Sequence, residues 1–216
     1  MSFLRFVGFL FTLCSLHAAF AELISTNAGR VGEKIITSRE VVISHIIENA
    51  LFRVQKGRVP KSRIDLAKVR ETEFVRETTG VLIETAIYME AVDLSTDRVS
   101  QDKIRSSVQL VRKNVGSDPL WKKLQVDPGE LNQVVERKLR AKEHVNFKVQ
   151  SVTTPVSDHD AQVYFDNNRL KFENLPFASF KENIKSYLLK QQVDQRLKDW
   201  FELLQSKYRV RNYLAE

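Results

Sequence analysis

Pro176-Phe-Ala-Ser-Phe-Lys-Glu-Asn-Ile-Lys-Ser-Tyr-Leu-Leu-Lys-Gln-Gln-Val-Asp-Gln-Arg-Leu-Lys-Asp-Trp-Phe-Glu-Leu-Leu-Gln-Ser-Lys-Tyr208 is the stretch whose reading decides the fold. Phe177, Phe180, Ile184, Tyr187 and Leu188 recur at steps of three and four, slip at Gln191-Gln192, and resume as Val193, Leu197, Trp200, Phe201, Leu204 and Tyr208. That spacing lines one side of an α-helix. No Gly or Pro interrupts the run, and Pro176 stands where a first-turn proline is tolerated. The pattern predicts a helix over Phe177–Lys207, roughly 45 Å long at ~1.5 Å per residue. A rod with a one-sided aromatic stripe must lie across another layer. The tail that follows, Tyr208-Arg-Val-Arg-Asn-Tyr-Leu214, alternates apolar and polar residues and predicts a short strand.

The beginning of the chain reads as an export signal. Arg5 supplies a positive start, Phe6–Leu16 is an apolar stretch too short to span a bilayer, and Ala19-Phe20-Ala21 gives a small-x-small cleavage pattern. Cleavage after Ala21 is expected. A lipoprotein anchored at Cys14 fits less well, because Leu13 is not the small residue such a site needs. Cys14 is the single cysteine, so the mature chain has no disulfide to form. Export without disulfides suits a bacterial periplasm. No later apolar run is long enough for a membrane span.

The full chain carries 34 Lys and Arg against 27 Asp and Glu, a net charge of +7, and removal of Arg5 with the signal leaves +6. Bases alternate with acids along helices, as in Arg70-Glu-Thr-Glu73 and Glu136-Arg-Lys138, which reads as a solvated mixed face. Nucleic-acid binding calls for a one-sided basic stripe or a recognised motif, and neither is present. At most a peripheral contact with anionic lipid, or with acidic clients, is compatible with this charge.

Ahead of the rod, Val31–Ile36 reads as a strand or tight hairpin with Gly29 and Gly32 as turn or bulge points. Thr37-Ser-Arg-Glu40 is a capping-box pattern that opens a helix through Val41, Ile43, Ile46 and Ile47, ending near Lys56-Gly57. Arg58–Lys61 is a basic turn holding Pro60. A second helix is expected from about Arg63 to Ala91, with a soft point at Thr78-Thr-Gly80. A third starts at Ser100 and buries Ile104, Val108, Leu110 and Val111. After the break at Gly116–Pro119 comes a single turn carrying Trp121 and Leu124. Asp127-Pro128 then opens a fourth long helix reaching about Val149, whose exposed side reads Glu136-Arg-Lys138 and Arg140–Glu143. Residues 151–156 are expected as a linker between a core lobe, 31–150, and C-terminal helices and strand, 157–214. Ser157-Asp-His-Asp160 caps a short helix through Tyr164 and Phe165. Asn174–Pro176 forms the joint into the rod.

Chemistry is sparse. His45, His144 and His159 stand far apart and in no zinc-ligand spacing, and the mature chain lacks a thiol, a nucleophile elbow and a phosphate-cradling glycine loop. The reading is therefore not an enzyme: no catalytic residues, no metal, no cofactor. What the sequence offers is apolar surface. Phe147, Tyr164, Phe172, Phe177, Phe180, Tyr187, Trp200 and Phe201 are the candidate client-binding residues, any of which core packing would also explain.

The order of these pieces carries a resemblance. A strand and a capped Ile36-Thr-Ser-Arg-Glu-Val41 helix start are followed by Val156-Ser-Asp-His-Asp-Ala-Gln-Val-Tyr-Phe-Asp-Asn-Asn-Arg-Leu-Lys-Phe172, the long helix and a β-like tail. Over most of Val31–Leu214 this resembles the chaperone module of the SurA family, related to trigger factor and the secreted parvulin-type foldases. Such proteins commonly carry a prolyl-isomerase domain before the last helix. Only Glu173–Pro176 stands there in this chain, so the resemblance implies a module without isomerase activity. It also implies that N- and C-terminal strands share one small sheet. The expectation is a mainly α protein of long helices with a minimal β element, Val31–Ile36 with Arg209–Leu214. Its expected function is a periplasmic, ATP-independent holdase for unfolded or nascent envelope and outer-membrane proteins. The alternative is a structural or adaptor protein that uses the same fold for one dedicated partner or for homodimerisation.

Overall fold

The computed structural model describes residues 25–95, 99–172 and 175–216. The expected signal, Met1–Ala21, lies outside the described residues, as do Glu173 and Asn174 of the expected joint. The chain is mainly helical with one small three-stranded antiparallel sheet. Two strands, β1 (Asn27–Val31) and β2 (Lys34–Thr37), form a hairpin rather than the single strand also open to the sequence. Gly32 turns it with φ +57°, a conformation that suits glycine.

Among the described residues seven α-helices follow: α1 (Ser38–Phe52), α2 (Thr72–Asp93), α3 (Gln101–Val115), α4 (Pro119–Leu124), α5 (Pro128–Val152), α6 (Asp158–Asn167) and α7 (Lys181–Lys207). A two-residue strand, β3 (Arg211–Asn212), closes the sheet in the order β2-β1-β3, with Gly29 opposite Asn212 and Arg30 opposite Arg211. Gly32 N–H donates to Tyr208 O, and Tyr213 N–H donates to Ala28 O. The two ends of the described chain thus meet. At Gly29 an added Cβ would stand 2.5 Å from Arg211 O and 2.8 Å from a Leu82 methyl, so only glycine fits where β3 and α2 close over the strand.

Helix starts follow their local chemistry. Side chains of Thr37, Ser100, Asp118, Asp127 and Ser157 each accept a backbone N–H of the following first turn. Helix α1 is buried nearly all round, as a central helix is, and its polar side carries Glu40 and Glu48 toward α5. Around it α2, α3, α5 and the sheet build one large apolar cluster, which the C-terminal end of α7 joins through Trp200, Leu204 and Tyr208. A second, small cluster lies where α6 meets the first half of α7, with Ala161, Phe165 and Ile184 at its centre.

Several boundaries differ from the sequence expectation. Helix α1 stops at Phe52, and Gly57 sits in a tight turn closed by Gln55 and Arg58 instead of capping the helix. Helix α2 begins at Thr72, since Leu66–Lys68 forms a separate 3-10 turn capped by Asp65. It passes through Thr78-Thr-Gly80 unbroken, both hydroxyls donating to carbonyls four residues back. Leu110 is exposed, not buried. Helix α5 runs to Val152, into the expected linker. The rod begins at Lys181, because Pro176 leads only a 3-10 turn over Phe177–Ser179. Strand β3 covers two residues of the alternating tail, because Asn212 turns its amide to α2, donating to Val75 O and Thr79 Oγ1.

The largest correction concerns charge. Arg137 and Lys138, expected on the solvated side of α5, are 3% and 5% exposed, and Ala141 beside them is buried. Arg137 pairs with Glu40 of α1 and with Glu84 of α2, at 2.8 Å for the latter. Lys138 pairs with Glu48 of α1 at 3.1 Å and with Glu84 at 2.8 Å. Glu40 therefore serves this clamp, while Thr37 caps α1. A buried pair left with one partner is strongly destabilising. Arg137→Ala is expected to cost about 3–5 kcal/mol in urea denaturation, because it leaves Glu84 with Lys138 alone and Glu40 with only Lys34, at 3.8 Å.

Burial pushes the Glu84 carboxyl up, but Lys138 and Arg137 outweigh it and hold it below the usual glutamate range. Glu90 behaves alike, with Lys207 and Tyr208 overcoming its burial. A depressed carboxylate stabilises the fold above its unfolded pKa, near 4.5, and that stability is lost as pH falls toward the folded value. Thermal melts are therefore expected to hold near pH 6 and drop steeply below about pH 4.5; an unchanged melting temperature from pH 6 to pH 3 would contradict the clamp.

Candidate functional site

The eight aromatics singled out from the sequence fall into two groups. Tyr164, Phe172, Phe177 and Phe180 come together on the small α6–α7 cluster, where Tyr187 meets Tyr164. Trp200 and Phe201 belong to the large cluster, and Phe147 lies beside them on α5. The slip at Gln191-Gln192 marks the division. Between Ile184 and Trp200, ~24 Å apart along the helix axis at ~1.5 Å per residue, α7 buries no residue.

Trp200 is 7% exposed, stacked near His144 and Phe201 with ring centroids 5.6 and 5.1 Å away, and Lys148 lies over its face. It is a core residue, and so stands corrected as a client-binding candidate. Phe201 is half-buried against the same cluster. Phe147 is exposed but stands alone there, its ring 6.1 Å from His144.

The α6–α7 group is different. A full capping box starts α6: Ser157 Oγ accepts from Asp160 N–H, and Asp160 accepts from Ser157 N–H. Asp158 meets Lys181 and Lys185 of α7, and those lysines hold its carboxyl below the usual aspartate range. Tyr164 of α6 meets Tyr187 of α7 at 5.5 Å between ring centroids, and the segment that connects the two helices joins the same cluster. Phe172 in that segment is the hub, with ring centroids 4.8 Å from Phe165, 5.1 Å from Phe180 and 6.4 Å from Tyr164.

Only Ala161, Phe165 and Ile184 in this cluster are fully covered. Two helices and a crossing segment make too thin a stack to enclose five more aromatic rings. Tyr164, Phe172, Phe177 and Phe180 remain half-buried, and Tyr187 is 45% exposed. Nearby on the same elements Val163, Leu170 and Leu175 are exposed, Leu170 at 99%. Tyr164, Phe172, Phe180, Ile184 and Tyr187 wall a cavity of about 200 Å³, with Lys171 and Asn183 at its edge. The exposed leucines escaped the sequence reading because Leu170 and Leu175 lie off the helical stripe. A concentration of aromatic edges and aliphatic tips on one small lobe is what a soluble chain normally avoids.

Among the described residues no group of three or more His, Cys, Asp or Glu could hold a metal ion, and no helix is long and apolar enough to cross a membrane. Comparison with models of known families, with curated proteins and with solved structures gives no match.

The division of the stripe is testable on two residues. Trp200→Ala is expected to destabilise the chain by about 3–5 kcal/mol, as for a buried tryptophan. Tyr187→Ser, thirteen residues before Trp200 on the same helix, should change stability by about 0.5 kcal/mol or less. Urea denaturation of both variants checks the contrast.

Proposed function

We propose that the chain is an ATP-independent holdase that acts after export, in the periplasm, and keeps unfolded envelope and outer-membrane proteins from aggregating. The observation that carries this reading is the α6–α7 lobe, with half-covered aromatic rings around a small cavity and Val163, Leu170 and Tyr187 open to water. Burial of ~400 Å² of apolar client surface on such a face would contribute ~10 kcal/mol at ~25 cal/mol per Å². Association costs of ~4–15 kcal/mol offset most of it. The balance is weak, reversible and tolerant of client sequence, which suits a protein that must release what it holds. Rings also adapt to varied partners, since every aliphatic or aromatic side chain finds a face or an edge to pack on. The chain offers no nucleotide-cradling glycine loop, so release runs on this weak affinity alone. No prolyl-isomerase activity is part of the proposal.

The test is aggregation suppression of two unrelated unfolded proteins. Wild-type chain at near-stoichiometric amounts should suppress both. Leu170→Asp combined with Tyr187→Ser should lose at least about half of that effect while melting as wild type does, because exposed substitutions cost ~0.5 kcal/mol or less. A wild-type chain that protects neither client overturns the holdase reading, and stoichiometric co-purification of one folded partner would then favour the adaptor reading.

A further inference from the structure

We propose that the groove between α1, α2 and α5 is a second peptide site, selective for segments in which carboxylates lie beside apolar side chains. Its charged end comes from the loop Arg53-Val-Gln-Lys-Gly-Arg-Val-Pro-Lys-Ser-Arg63, which holds five cations and no acid. Lys56, Arg58, Lys61 and Arg63 are exposed, and among the described residues no carboxylate lies within ion-pair distance of any of them. Arg53 reaches only Glu48, at 3.9 Å. Lys56 and Gly57, at φ 49° and 73°, turn the loop tightly.

Three of these cations help to wall a concavity. Arg53, Lys61, Arg63 and Arg76 surround a cavity of about 310 Å³ beside Phe52. Its two carboxylates are already engaged: Glu73 with Arg76 at 3.5 Å, and Glu77 with His45 at 3.2 Å. His45, Arg53 and Glu77 are shared with a middle cavity of about 210 Å³. That cavity shares Glu48, Gly80, Glu84 and Lys138 with a third, of about 350 Å³, whose apolar wall includes Phe52, Ile83, Ile87 and Val145. The three adjoin through these shared residues into one groove, lined by cations at the first cavity and mostly apolar at the third.

Its floor adds no net attraction for anions, because Lys138 is satisfied by Glu48 and Glu84. Gly80 keeps it open: a Cβ there would meet nothing within 4 Å. Glycine in mid-helix weakens α2, and no turn or close contact requires it. An extended peptide fits such a groove, whereas a flat bilayer cannot enter it. The charge complement is a client segment with Asp or Glu at one end and aliphatic or aromatic residues at the other.

The experiment is fluorescence anisotropy with three labelled dodecapeptides that share an apolar half and differ in the other half: Asp/Glu, Asn/Gln or Lys. At ~50 mM salt the acidic peptide is expected to bind about ten-fold tighter than the lysine peptide, the sum of several weak surface pairs. The margin should close at ~1 M salt, where the screening length is ~3 Å. Lys61→Glu with Arg63→Glu should abolish the preference without changing the melting temperature. Gly80→Phe should weaken the acidic peptide several-fold. Leu170→Asp with Tyr187→Ser should leave the preference intact, which separates this site from the α6–α7 lobe. Equal affinities for the three peptides, or a preference that survives charge reversal, would overturn the proposal. Anionic phosphatidylglycerol vesicles that bind through Lys61 and Arg63 without any peptide discrimination would assign the loop to a membrane surface instead.

Discussion

One helix, α7, belongs to two apolar clusters at once, and the rest of the architecture depends on that sharing. Its last turns insert Trp200, Leu204 and Tyr208 into a body that is several elements thick. Its first turns have only α6 and one crossing segment to pack on. The same aromatic stripe is therefore sealed at one end and half-open at the other. Burial here is decided by how many layers the fold can bring up, not by the residue type. A thin lobe cannot enclose what a thick one can, and the surplus of rings stays in contact with water.

The thick end is tied together by two long-range devices. Arg137 and Lys138 of α5 clamp α1 to α2 through Glu40, Glu48 and Glu84, and β1 receives the returning tail at Gly29 and Arg30. Arg39 adds a tie across the cluster, donating to Leu124 O at 2.7 Å and pairing with Glu130 at the start of α5. Tyr208 finishes α7, its hydroxyl 2.8 Å from Glu90 and 2.7 Å from Asp93, and burial with those two carboxylates pushes the phenol pKa up. A well-packed body thus carries a sparsely covered lobe.

What was legible in the sequence was local. Caps at Thr37, Ser100, Asp127 and Ser157, the helical period of the rod and the turn at Gly32 each rest on interactions within a few residues, and each stands where the residues placed it. Even the division of α7 was written as the slip at Gln191-Gln192. What was not legible was partnership across the chain. Glu136-Arg137-Lys138 looks solvated on its own, because its partners lie 53 to 97 residues upstream. Trp200 and Tyr187 share a stripe and differ only in the layers opposite them. The α1–α2–α5 groove arises from three separate segments, and Gly80 reads as a weak point of α2 until the open space beside it is seen.

The central claim, that the thin lobe receives apolar clients, is tested most directly by site-specific photocross-linking. A benzophenone at Leu170, on the lobe, and one at Leu110, an exposed leucine of α3 on the body, present comparable reach from different surfaces. With an unfolded outer-membrane protein in slight excess, cross-linked client should form from position 170 and be near background from position 110. Equal yields from the two positions, or none from position 170, would contradict the account.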